Sequence, residues 1–145
     1  MSVAAETPGS RIAPELVAAY RAARYEVAAG FDLAISTPSA ALAAWHTGHG
    51  VSCSALITAC NPASQPHSQQ QNQNATRKLE TALLRRKLAF SPTLALDSEG
   101  NWPAEPGFLI AGLAREAAMA LGRRFGQNAI VWAGADAVPG LVLLR

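Results

Sequence analysis

Apolar positions along this chain recur with two periods, and the switches between them mark out the elements. Pro14 opens a run to residue 22, and proline in a first helical turn loses no hydrogen bond, so a short helix is predicted there. Residues 25–28 and 31–35 alternate apolar with polar or small side chains around Ala29-Gly30, the pattern of a tight hairpin with one buried face. Ser36 or Thr37 is placed to cap a helix beginning near Pro38 that buries Leu42 and Trp45 and stops at Gly48 and Gly50. Residues 51–60 read as a strand that ends at Asn61-Pro62. Its near-continuous apolar character from Ala55 predicts a central place in the sheet.

Residues 61–74, rich in Gln, Asn, Ser and Pro, read as a low-complexity loop running into the longest helix, with Ser68 as its cap. Leu79, Leu83 and Leu88, with Ala82 and Leu84, then keep a helical period. A second hairpin is predicted from 93–96, a turn at 97–100 and Asn101-Trp102, with 108–111 as a further strand. Leu113, Ala117, Leu121 and Phe125 space a last helix, followed by strands at 129–133 and 141–144 joined through Pro139-Gly140. Helices interspersed with hairpins predict an α+β fold. The expectation is one globular domain over 13–145, a mostly antiparallel sheet with helices packed on one face, preceded by a flexible arm at 1–12.

Composition adds limits. At 145 residues, half of them hydrophobic, the chain can bury a core without staples. Its net charge of +2 gives no overall field for nucleic acid or membrane. Positive charge is nevertheless concentrated at Arg77, Lys78, Arg85, Arg86 and Lys87, with Glu80 the acid among them. Two cysteines and the absence of a basic and apolar leader pattern in the first ten residues lead to the expectation of a reducing, cytoplasmic location. No window approaches the roughly 18 apolar residues of a membrane span, so no membrane partner is expected.

Candidate chemistry lies where amides replace expected hydrophobic residues. Asn61, Ser64, Asn72, Gln127 and Asn128 gather at predicted element ends, with Trp102 and Glu105 just after a hairpin turn. A carboxamide beside a core strand is costly to bury unpaired, so it either stitches backbone together or faces a ligand. The first role would have Asn61 close the polar loop while Gln127 and Asn128 satisfy carbonyls at the last helix's end. The second gives a small-molecule site, a binding module or an unrecognised enzyme with an Asn/Gln-lined pocket for a small polar ligand. Neutral amides cannot act as acid or base, so catalysis would have to recruit Glu105, a histidine or a metal.

The other groups are weaker signals. Cys60 has no neighbour that would depress its pKa, Cys53 reads as a small buried hydrophobe, and His46 and His49 lack a third ligand, so no metal and no cofactor is assigned. Hydrolase and phosphate-loop motifs are absent. Arg77, Arg85, Arg86, Arg123 and Arg124 are the anion-binding candidates. They carry the alternative reading, a non-catalytic interaction protein docking an acidic partner or nucleic acid through helix 77–87. Nucleic acid is the less favoured of those partners, because no aromatic residues interleave with the charges. No oligomeric state follows from the sequence.

Residues 25–35, the run Leu56-Ile57-Thr58-Ala59-Cys60-Asn61-Pro62, Ser64, Ser68, Asn72, Trp102-Pro103 and above all the run 122–132 resemble the bacterial domain-of-unknown-function family 3293. The Thr-Ala-x-Asn-Pro and Phe-Gly-Gln-Asn-Ala-Ile segments are the most specific. The family commonly has an aromatic residue where this chain has Cys60. The resemblance implies a bacterial single-domain protein and no particular chemistry.

Overall fold

In the computed structural model of the chain, which describes residues 10–145, local sequence signals set most element boundaries. The expected arm lies outside the described residues up to position 9, and Ile12 at its end is buried with Val17 and Leu141. Helix α1 (Pro14–Ala22) starts on its proline and turns Val17 inward. Strands β1 (Arg24–Val27) and β2 (Phe31–Ala34) form the hairpin predicted around Ala29-Gly30. Helix α2 (Ala40–Gly48) starts later than predicted, because its cap is Ser39 and neither Ser36 nor Thr37. The Ser39 hydroxyl accepts from the Leu42 N–H at 3.0 Å. Strand β3 (Ser54–Thr58) is shorter than the predicted run.

Helix α3 (Gln69–Arg85) absorbs much of the expected loop. Ser68 caps it as predicted, in a reciprocal box: its hydroxyl accepts from Gln71 N–H at 3.0 Å, and the Gln71 side chain accepts from Ser68 N–H at 2.8 Å. Residues 69–74 are therefore helical despite their low-complexity composition. Strands β4 (Phe90–Leu96) and β5 (Glu105–Ala111) make the second hairpin. Asn101-Trp102, expected as its returning strand, lies outside the ladder. Pro103 cannot donate to a ladder and biases the residue before it, so pairing begins only at Glu105. Helix α4 (Arg115–Arg124) buries Ala118, Leu121 and Gly122, with Ala117 exposed. Strands β6 (Ala129–Ala133) and β7 (Gly140–Leu143) complete the fold.

The fold is single-domain α+β, with the seven strands in one curled sheet of order β2-β1-β4-β5-β3-β6-β7, every pairing antiparallel. β3 lies between β5 and β6, the interior place its apolar run predicted. Alternation along the strands sorts the core into two faces. Ile57, Ile110, Ile130 and Val142 pack with Leu79 and Leu83 of α3 and Leu121 of α4. Leu56, Leu109 and Val131 pack on the other face with Leu42 of α2. Val17 of α1 meets Leu141, whose strand partner Val131 is on that second face. The shared face expected for the helices thus holds for α3 and α4, while α1 and α2 cover the opposite side. A sheet apolar on both sides needs cover on both.

Candidate functional site

Between α1, the loop after β3, the first turns of α3 and the sheet lies a cleft of about 990 Å³. Its floor is the α1–α2 face of the sheet, where Tyr25, Leu56, Thr58, Thr93, Ala95 and Val131 project. Leu16, Ala19 and Tyr20 of α1 form one wall. Most of the lining is apolar, and polar groups gather where the loop meets the sheet.

That loop is tied by side chains. Asn61 stands at φ 45°, in the left-handed region that asparagine tolerates, just past the end of β3. Its N–H donates to Asn72 Oδ1 at 2.9 Å, and its Oδ1 accepts from His67 N–H at 2.9 Å and Asn72 Nδ2 at 3.0 Å. Its Nδ2 donates to Glu105 Oε2 at 2.7 Å. One asparagine thus joins the loop, α3 and β5.

The second tie comes from the end of α4. Gly126, at φ 71°, closes that helix, with its N–H donating to Arg123 O and Gln127 N–H to Gly122 O, both at 3.0 Å. The Gly126 carbonyl then accepts from Ala63 N–H at 2.8 Å, and a side chain at 126 would meet Pro62 at 2.9 Å. Gln127 Nε2 donates to Cys60 O and Phe125 O, each at 3.2 Å. Asn128 Nδ2 donates to Tyr20 Oη at 3.1 Å and Ser64 Oγ at 3.2 Å, and those two hydroxyls also bond each other.

Three groups on the floor stand apart from these ties. Burial pushes the Glu105 carboxyl above the ordinary carboxylate range, offset only in part by the hydrogen bond from Asn61. Among the described residues no cation pairs with Glu105. Thr93 Oγ1 is buried, and among the described residues it has no hydrogen-bond partner. Burial first, then Glu105 and Tyr20, push the Tyr25 phenol well above its usual value, so it serves as a neutral donor, here to Tyr20 O at 3.2 Å.

All seven ligand-binding candidates, Asn61, Ser64, Asn72, Trp102, Glu105, Gln127 and Asn128, line this one cleft. The amide hydrogens of Gln127 go to backbone carbonyls, the stitching role, whereas those of Asn128 go to the Tyr20 and Ser64 hydroxyls in the cleft lining. Of the anion candidates only Arg77 lines the cleft. Arg85 is at the far end of α3, Arg86 is its C-cap, and Arg124 lies 5.4 Å over the Phe125 ring. Sequence reasoning missed Tyr20, Tyr25 and Thr93. The available signals were helical spacing from Val17 for Tyr20 and alternation with Ala95 for Thr93.

The remaining groups are occupied elsewhere. His46 is buried, its Nε2 2.7 Å from Ser54 Oγ, and burial lowers its pKa. Cys60 is buried with its thiol directed at Pro106 O, 3.7 Å away, and Cys53 is only half-buried. Among the described residues no three His, Cys, Asp or Glu side chains gather as metal ligands would, and no helix is long and apolar enough to cross a membrane.

Residues 57–130, just over half of the chain, match a family described as Protein of unknown function (DUF3293). The match spans both segments that meet at the polar end of the cleft. No curated protein and no solved structure matches the chain.

Proposed function

The chain belongs to the DUF3293 family, a membership that names no activity, and from the cleft itself we propose that it is a small-molecule-binding module. The observation that carries this reading is the open volume of about 990 Å³ in a fold whose two faces are otherwise packed. Protein interiors leave few voids, and pockets for organic ligands run from roughly 300 to 1,000 Å³. The apolar wall favours a ligand with an apolar body and one polar end over a wholly polar molecule. Asn61, itself bonded by Asn72, supports that end by holding Glu105 in place.

A thermal-shift screen of a fragment library tests this. Fragments should raise the melting temperature of the native chain but not of Ala19→Trp, which puts an indole in the cleft wall. A library that shifts neither protein, or both equally, overturns the reading.

A second reading, docking of an acidic protein through the basic end of α3, draws support from Leu84. It is 61 % exposed beside Arg85 and Arg86, an apolar contact within a positive patch. Binding to an acidic partner that survives Arg85→Glu with Arg86→Glu would count against it.

A further inference from the structure

We propose that the cleft selects a primary ammonium group carried on an apolar body, seated between the Glu105 carboxylate and the Thr93 hydroxyl. The proposal rests on the cleft being a ligand site and specifies the head group that site takes.

Two unfilled acceptors point to it. Glu105 Oε2 accepts from Asn61, leaving Oε1 without a protein partner among the described residues, and Thr93 Oγ1 is unpartnered although Thr93 is only 4 % exposed. Both belong to the β4–β5 ladder, in which Thr93 faces Gly107 and Ala95 faces Glu105. They are therefore diagonal neighbours on one face, about 7–8 Å apart at sheet spacing. A head group between them can touch both.

Gly107 lies across the ladder from the Thr93 hydroxyl. A side chain there would come within 2.8 Å of the Ile57 carbonyl and 3.2 Å of Thr93 Oγ1. The strand can carry only glycine at this point, and the Thr93 hydroxyl is left buried beside it without a partner among the described residues.

The donor and acceptor inventory selects the head group. An ionised carboxylate only accepts, and a hydroxyl accepts as readily as it donates. An ammonium has three donors and no acceptor, so it satisfies both sites at once. An anionic head would meet Glu105 as a like charge, and a neutral hydroxyl has one donor for two acceptor sites and no charge opposite to the carboxylate. Burial makes ionised Glu105 costly in the empty cleft, and a cation beside it offsets that cost. The Trp102 ring lines the same cleft and offers a cation a second surface. The other charged or titratable side chains lining it are Arg77 and His67, both exposed, the Tyr20 and Tyr25 phenols, and the buried Cys60 thiol. Leu16, Leu56, Val131 and Leu141 receive the apolar body.

Three isosteric probes read the preference: phenethylammonium, phenylethanol and phenylacetate, titrated calorimetrically at neutral pH. The native chain should bind the ammonium at least about ten-fold tighter than the alcohol, and phenylacetate weakest, since only the ammonium brings an opposite charge to Glu105 and a donor for each site. Glu105→Gln should bring the ammonium down to the affinity of the alcohol. Equal affinity of the native chain for alcohol and ammonium, or a preference for phenylacetate, overturns the ammonium assignment while leaving the cleft reading intact. Failure of all three probes beside successful fragment hits does the same. Failure of the fragments as well removes both readings. The comparison on the native chain stands even if the variant fails to fold, which circular dichroism would reveal.

Discussion

Asn61, Ala63 and Ser64 hold φ at 45°, 56° and 59° within one short loop. Each L-residue in the left-handed region costs roughly 1–2 kcal/mol, asparagine less, and the contact from Ala63 N–H to Gly126 O fixes the conformation despite that cost. Ala63→Gly should therefore raise stability by about 1 kcal/mol in chemical denaturation; a loss would mean the Ala63 methyl packs in a way that outweighs the strain. Glu105 makes a pH-dependent prediction. Its folded carboxyl holds a proton more tightly than the unfolded one, so the stability linked to this group is full below the unfolded pKa and is lost as pH rises through the folded one. Glu105→Gln should melt above the native protein at neutral pH, with the gap closing below about pH 4. A gap that is constant with pH in paired melts would sink this account. At this scale the sequence was informative about Asn61 and Gln127, because an amide beside an apolar strand must find partners. It could not show that Thr93 lacks one, since that depends on Gly107 across the ladder.

Local elements followed local rules. α1 began on Pro14, the first hairpin turned at Ala29-Gly30, and α3 began after Ser68 because capping and turn chemistry operate within a few residues. The errors arose where a distant contact decided. Ser39 became the α2 cap where its N–H is also held by Ala137 O at 3.2 Å, and the return strand of the second hairpin waited until Glu105. α4 is held against the sheet by a close approach that propensity alone would not suggest. A Cβ at Gly122 would lie 2.7 Å from both Ile130 Cγ2 and Leu144 Cδ1. Alanine is ordinarily the better helix former by about 1 kcal/mol, yet Gly122→Ala should destabilise by about 1–3 kcal/mol, as overpacking does. Urea denaturation that shows the variant as stable as the native chain would mean α4 can slide outward freely.

Strand order was the least legible property of the whole molecule, because nothing near residues 54–58 in sequence announces that they separate β5 from β6. The α+β class and the interior place of β3 were readable from alternation and from its apolar run. The division of helices between two faces was not, since it depends on which strands the sheet brings together. In the assembled sheet Ser54 pairs with both Ala111 and Ala133, so this strand joins β2-β1-β4-β5 to β6-β7. The hairpins on either side close over short loops, whereas inserting β3 closes long ones, a step that topology makes slow. Leu56 and Thr58 of that strand are part of the cleft floor, so the recess is complete only once β3 has joined the sheet. A bound amine would therefore act as a brake on one direction of the reaction. Stopped-flow chevrons with and without phenethylammonium should show the unfolding limb slowed and the refolding limb unmoved.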